Sequence, residues 1–182
     1  MISNTMEVGM SETYSELTEE NNGTTPSIKK TGGVYMPSEG QIIDQRYQLV
    51  RKIGEGGMGY VYLAQQLNIS RKVVVKLLKP EFCISEEQIS RFKREAELAS
   101  KLSHPNCVTI HDFGFHDDAP YIAMEYLEGM PLSDVLFYRE EMLSLKEITG
   151  IISQVCDALE VARCLEVVHR DLKPENIFVL NE

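Results

Sequence analysis

Two strand-like segments joined by glycines constrain this chain more than any other feature. Tyr47-Gln48-Leu49-Val50-Arg51-Lys52-Ile53 and Tyr60-Val61-Tyr62-Leu63-Ala64 carry aromatic and β-branched residues suited to strands. Between them lies Gly54-Glu55-Gly56-Gly57-Met58-Gly59, which predicts a glycine-rich hairpin. Glycine lets backbone amides approach a phosphate oxygen with no side chain in the way. A glycine turn that binds a dinucleotide leads into a helix, whereas here a second strand follows.

A second stretch, near the other end, concentrates polar chemistry. Val167-Val168-His169-Arg170-Asp171-Leu172-Lys173-Pro174-Glu175-Asn176 sets a carboxylate, an ammonium and a carboxamide within six residues. Apolar runs from Cys164 to Val168 and from Ile177 to Leu180 bracket it. A loop between buried segments can fix three such groups around a phosphoryl group.

Together these stretches resemble the protein kinase domain. His169-Arg170-Asp171 with Asn176 matches the kinase catalytic loop, and Lys173-Pro174-Glu175 resembles its serine/threonine-specific version. The spacing Gly54-x-Gly56-x-x-Gly59-x-Val61 is similar to the kinase nucleotide loop. The resemblance is to the eukaryotic-like family as bacteria carry it, and it covers residues 47 to 182. It implies that Asp171 takes the proton of an attacking hydroxyl, Lys173 neutralises the moving phosphoryl charge and Asn176 binds a metal. It further implies that the segment Ile53, Gly54, Glu55, Gly56, Gly57, Met58, Gly59, Tyr60 and Val61 covers ATP.

The same resemblance gives roles to residues that mean little alone. Lys76 interrupts the apolar strand pattern Lys72 to Leu78, and most strand lysines are simply solvated. Its spacing after the glycines matches the kinase lysine on the α- and β-phosphates. Ser85-Glu86-Glu87-Gln88 predicts a capping box for a helix through about Leu102, with Ile89, Phe92, Ala96, Ala99 and Leu102 on one face. Glu95 then matches the glutamate that pairs with the lysine; Glu97 lies about 200° around the helix from it. Pro120 to Gly129 resembles the hinge between lobes, with Met124 as gatekeeper and backbone groups of Glu125 and Leu127 on the adenine edge. One departure is Val74, where the family usually has Ala, which would narrow the adenine pocket.

Asp112-Phe113-Gly114 equals the kinase metal motif but lies more than fifty residues before the catalytic loop. It is expected to end a strand and to bind no metal. His104, His111 and His116 are expected to be structural. A short helix is predicted from Leu132 to Arg139 and a longer one from Ser144 to about Glu166. Ile148, Ile151, Ile152, Val155, Leu159 and Ala162 form the apolar face of the longer helix, and Cys156 and Cys164 on it are expected to pack.

Residues 1 to 46 show no apolar period and hold seven acidic against three basic residues, so they are expected to form a flexible acidic leader. Residues 47–127 form the expected small lobe and hinge, and 128–182 an incomplete large lobe. The fold expected is α+β, with a five-stranded antiparallel sheet and one helix above the start of a helical lobe. A net charge of -10 argues against nucleic-acid binding. No run is long enough to cross a bilayer, and four scattered cysteines suggest neither zinc nor disulfides, so a cytoplasmic location is expected.

The function implied is transfer of the γ-phosphoryl group of ATP, with Mg2+, to a Ser or Thr hydroxyl of a protein. Only one of the two usual metal ligands is present, so the 182-residue chain is expected to have little or no activity. The alternative is a nucleotide-binding or scaffolding remnant without catalysis.

Overall fold

A computed structural model describes residues 37–181. The first 36 residues, most of the expected leader, lie outside this range. The elements are β1 (Ile42–Ile43), β2 (Tyr47–Glu55), β3 (Gly59–Gln66), β4 (Arg71–Leu78), α1 (Glu86–Ser100), β5 (Ile110–His116) and β6 (Ala119–Glu125). After the hinge come β7 (Gly129–Pro131), α2 (Leu132–Tyr138), α3 (Leu145–Cys164), a 3-10 turn (Pro174–Asn176) and β8 (Phe178–Leu180).

The first six strands form one antiparallel sheet in the order β1-β2-β3-β4-β6-β5, and β7 pairs with β8 separately. The sheet therefore has six strands among the described residues, against five expected. The additional strand is Ile42–Ile43, inside the segment expected to be leader. Ile43 is fully buried, and a left-handed turn at Asp44 and Gln45 reverses the chain into Tyr47. A two-residue strand carries too little periodicity to be read from sequence.

Strand alternation sorts the side chains of the sheet. Tyr47, Leu49, Tyr62, Ala64, Val73, Val75, Leu77 and Tyr121 point into one core cluster. Side chains on the opposite face, including Leu78 and Ile122, meet Phe92 and Ala96 of α1. Helix α1 starts at Ser85, whose hydroxyl accepts the Gln88 N–H at 3.4 Å. That is half of the expected capping box; the full reciprocal box forms on α3 between Ser144 and Glu147.

Helix α3 buries Ile151, Val155, Ala158 and Ala162. Ile152, expected on the apolar face, is 56% exposed, and Cys156 and Cys164, expected to pack, are exposed too. Helical period marks which residues are apolar, while burial depends on which element lies opposite. No helix among the described residues is long and apolar enough to cross a membrane.

Asp112-Phe113-Gly114 lies in the middle of β5 rather than at its end. Asp112 accepts from the Tyr47 hydroxyl at 3.0 Å and pairs with Arg46 at 2.8 Å. Phe113 packs tilted against Phe92, and Gly114 lies beneath the Tyr121 ring. A Cβ on residue 114 would fall 2.6 Å from the Tyr121 hydroxyl and 2.7 Å from the ring. Tyr121 is fully buried and cannot swing away. Gly114→Ala should therefore destabilise the fold by about 1–3 kcal/mol, the usual cost of overpacking, seen as a lower urea midpoint with an unchanged slope.

Candidate active site

One apolar cluster joins the chain just past α1, the helix that carries Glu95, to the chain just before the polar loop at 169–176. On the sheet, Lys76 stands in β4 on the face turned to α1, because its neighbours Val75 and Leu77 take the core face. Phe92 and Ala96 seat α1 on that face, and this seating carries Glu95 inward. Lys76 Nζ and Glu95 Oε1 lie 3.2 Å apart, with side chains only 16% and 11% exposed. Glu97 points elsewhere and pairs with Lys93 on the helix surface.

The glycine hairpin spans β2 and β3. Gly59 pairs with Leu78, and a Cβ there would sit 2.8 Å from the Leu77 carbonyl oxygen, so glycine is required for β3 to reach β4. A Cβ on Gly56 or Gly57 would meet no atom within 4 Å. Packing thus makes no demand for glycine at 56 and 57, and the missing side chains leave their backbone open to an approaching phosphate, although the Gly56 N–H is itself taken by the Gly59 carbonyl at 2.9 Å. Val61 lies in the same cross-strand row as Lys76, and Gly54 lies opposite Val61. Glu55 and Tyr60 occupy the next row, with Leu77, on the core face. Their side chains therefore leave the hairpin on the side away from Lys76, and only their backbone can serve a nucleotide held beside Lys76. Ile53 is 38% exposed and Met58 packs partly against the α1 cluster.

At the hinge, Met124 stands opposite Val74 in the register and packs partly against Phe92 and Ala96. The Glu125 N–H is committed to the Thr109 carbonyl at 2.9 Å. Any bond that Glu125 offers to an adenine edge therefore runs through its carbonyl. Leu127 lies in the irregular link between β6 and β7.

The polar loop at 169–176 is held at both ends by apolar residues. Val167 joins Ala158 and Ala162 of α3 with Leu102 and Cys107, just past α1. Ile177 joins Leu132, Ile151 and Val155, and its carbonyl accepts the Leu132 N–H at 2.6 Å. Between these anchors His169 is buried, and its Nδ1 accepts the Asp171 N–H at 3.3 Å. Arg170 takes a left-handed backbone with φ 64, sparsely populated for such a residue, which turns the chain so that Asp171 faces Asn176.

Buried Asn176 donates its amide to the Asp171 carbonyl at 2.8 Å and to the Asp171 carboxylate at 3.0 Å. Lys173 Nζ reaches the same carboxylate oxygen at 2.8 Å. The Lys173 ammonium, joined by the Asn176 amide, holds the Asp171 carboxyl below the usual carboxylate range against a smaller opposing effect of burial. The carboxylate is therefore ionised throughout the neutral range and ready to orient a hydroxyl. The Asn176 atom not used in these bonds is its carbonyl oxygen, the donor type that a hard cation takes. Among the described residues no group of three or more His, Cys, Asp or Glu could hold a metal ion.

Comparison with known proteins shows the family. The protein kinase domain model matches residues 47–182. The chain belongs to the protein kinase domain family. It is 44% identical over 140 residues to the serine/threonine-protein kinase PrkC of Bacillus subtilis, covering 77% of this chain and 22% of that protein. It is 45% identical over 141 residues to the serine/threonine-protein kinase pkn3 of Myxococcus xanthus, covering 77% and 26%. The chain thus spans about a quarter or less of the length of these curated relatives. The crystallised kinase domain of Mycobacterium tuberculosis PknI superposes with a TM-score of 0.70 at 31% identity, over 81% of this chain and 59% of that one.

Several residues that support this candidate site carry little signal in the sequence. Val167 and Ile177 stand in the apolar runs expected to bracket the loop, whereas Leu132 looks like an ordinary helix residue and the left-handed Arg170 has no compositional mark. No sequence pattern singles out Lys52 and Lys79, which meet Glu55. Replacing Lys173 by Met should raise the Asp171 pKa toward the ordinary carboxylate value, because the largest cause of its lowering is removed. Carboxyl 13C chemical shifts followed against pH would show the midpoint moving up; an unmoved midpoint would mean that Lys173 does not set the charge there.

Proposed function

We propose that this chain carries the nucleotide-binding and catalytic-loop part of a serine/threonine protein kinase, which moves the γ-phosphoryl group of ATP to a protein Ser or Thr hydroxyl. The observation that carries the reading is one apolar cluster, shared by the end of α1 and the start of the catalytic loop. It joins α1, which carries the Glu95 partner of Lys76, to the segment that leads into Asp171, Lys173 and Asn176. The names of the bacterial relatives support the Ser/Thr assignment.

The residues divide the work by chemistry. Glu95 keeps the Lys76 ammonium extended from the sheet, where it can meet the α- and β-phosphates. Amides at the tip of the hairpin, at Gly57 and Met58, offer donors to phosphate oxygens, and the Glu125 carbonyl with backbone groups of Leu127 holds the adenine edge. When bound, Mg-ATP supplies the transferable phosphoryl group and a cation that offsets its charge. The carbonyl oxygen of Asn176 is the donor this loop would give that cation.

Asp171 acts on the acceptor hydroxyl. Held as a carboxylate, it is a weak base that orients the nucleophile and takes its proton as the new bond forms. Lys173, already 2.8 Å from that carboxylate, places a positive charge where the phosphoryl group would pass.

Calorimetry with Mg-ATP tests the binding half. Lys76→Met should weaken binding about ten- to hundredfold, the worth of a charge-assisted contact, while Asp171→Asn should leave affinity nearly unchanged. Transfer of labelled phosphate to a generic protein tests the chemical half: any turnover should fall about 10²- to 10⁴-fold in Asp171→Asn. Tight binding with no Asp171-dependent transfer would favour the nucleotide-binding remnant instead, and binding indifferent to Lys76 would overturn both.

A further inference from the structure

Glu55 and Tyr60, residues of the nucleotide hairpin, turn their side chains away from the nucleotide face, and what they meet there has its own consequence. Across β2, β3 and β4, Gly54, Val61 and Lys76 form one row, while Glu55, Tyr60 and Leu77 form the next. Successive rows face opposite sides of a sheet. Tyr60 and Leu77 are 5% and 2% exposed in the core cluster, so Glu55 emerges on the back of the hairpin.

Two ammonium groups converge on it. Lys52 Nζ lies 2.5 Å from Glu55 Oε2 and Lys79 Nζ lies 2.8 Å from Oε1. Both also sit over the Tyr60 ring, at 4.8 and 5.4 Å from its centroid, within cation–π range. Lys79 follows the end of β4, three residues after Lys76, and its side chain is 13% exposed. Its backbone N–H also donates to the Met58 carbonyl at 2.9 Å, beside the Gly56 N–H bond to the Gly59 carbonyl at 2.9 Å. One residue therefore grips the glycine stretch through both backbone and side chain. The Glu55 carboxyl, drawn down to about 2 by the Lys52 and Lys79 hydrogen bonds, stays charged at any pH where the protein would work.

We propose that the Lys79–Glu55 pair, with Lys52 and Tyr60, is a brace on the back of the glycine hairpin that fixes its height above β4 and so slows the escape of a bound nucleoside triphosphate. Glu55 and Lys79 are positioning residues, out of contact with the nucleotide. The effect on triphosphate release rests on the nucleotide reading above; the bracing of the hairpin does not.

Two measurements on the 182-residue chain separate these parts. Amide hydrogen exchange at Gly56 and Lys79, without nucleotide, reads the brace itself. Stopped-flow release of a fluorescent N-methylanthraniloyl-ATP with Mg2+ reads its consequence. Glu55→Gln and Lys79→Met should each speed exchange and release about two- to fivefold, the scale of a partly exposed ion-pair network. Lys79→Arg should stay near wild type. The double variant should be no faster than Glu55→Gln alone, because both changes break one interaction. In 1 M salt the wild type should approach the single variants.

Exchange at Gly56 and Lys79 that is the same in wild type and Glu55→Gln would overturn the brace, as would fully additive effects in the double variant. Faster exchange spread over the whole sheet would also overturn it, since that reports general destabilisation. Should the labelled nucleotide fail to bind the wild-type chain, the nucleotide reading fails, and the exchange comparison still decides the brace.

Discussion

The apolar junction between the end of α1 and the start of the catalytic loop is the constraint on which the rest of this structure depends. Leu102 and Cys107 come from the link between α1 and β5, Ala158 and Ala162 from α3, and Val167 from the segment that delivers His169 and Asp171. Small residues on α3 let the backbones approach closely, so little freedom remains in how the two sides meet. A polar bond from the Asn106 side chain to the Gln154 carbonyl at 3.2 Å adds direction to a contact that hydrophobic burial alone would leave sliding. The polar groups of the site are thus positioned by residues with no chemistry of their own.

The same division recurs at each side chain of the candidate site. Phe92 and Ala96 place Glu95; Val75 and Leu77 place Lys76; Val167 and Ile177 clamp the loop that presents Asp171 and Asn176. The Lys76–Glu95 pair, largely withdrawn from water, is a weak source of stability because desolvation opposes its attraction. Its value lies in direction, holding an ammonium on a strand face where chance would leave it solvated. In the catalytic loop the strain of a left-handed Arg170 is sustained by the anchors on either side.

Much of this was legible in the residues. The hairpin, the lysine strand, the helix bearing Glu95, the hinge and the polar loop each follow from a local pattern, and the kinase resemblance joined them. The misses have physical causes. Ile42–Ile43 is too short for periodicity to register, although burying Ile43 and bonding Gly40 and Gln41 to Leu49 make it part of the sheet. Ile152, Cys156 and Cys164 share a helix with buried residues, but a period cannot say which element covers which arc. Glu55 belongs to the nucleotide motif by sequence, and only the strand register reveals that its carboxylate faces the other way. Asp112-Phe113-Gly114 shows the converse: a functional string whose residues are each accounted for by Arg46, Tyr47, Phe92 and Tyr121.

The central claim is that the glycine hairpin and the Asp171 loop address one nucleotide. Paramagnetic broadening by Mn2+-ATP, read residue by residue in the NMR spectrum of the chain, tests it most directly. The account predicts that backbone amides from Gly56 to Gly59 and those from Asp171 to Asn176 broaden together, at one nucleotide equivalent and with one midpoint. Broadening confined to the hairpin, or to the loop, or appearing at two different midpoints would contradict it.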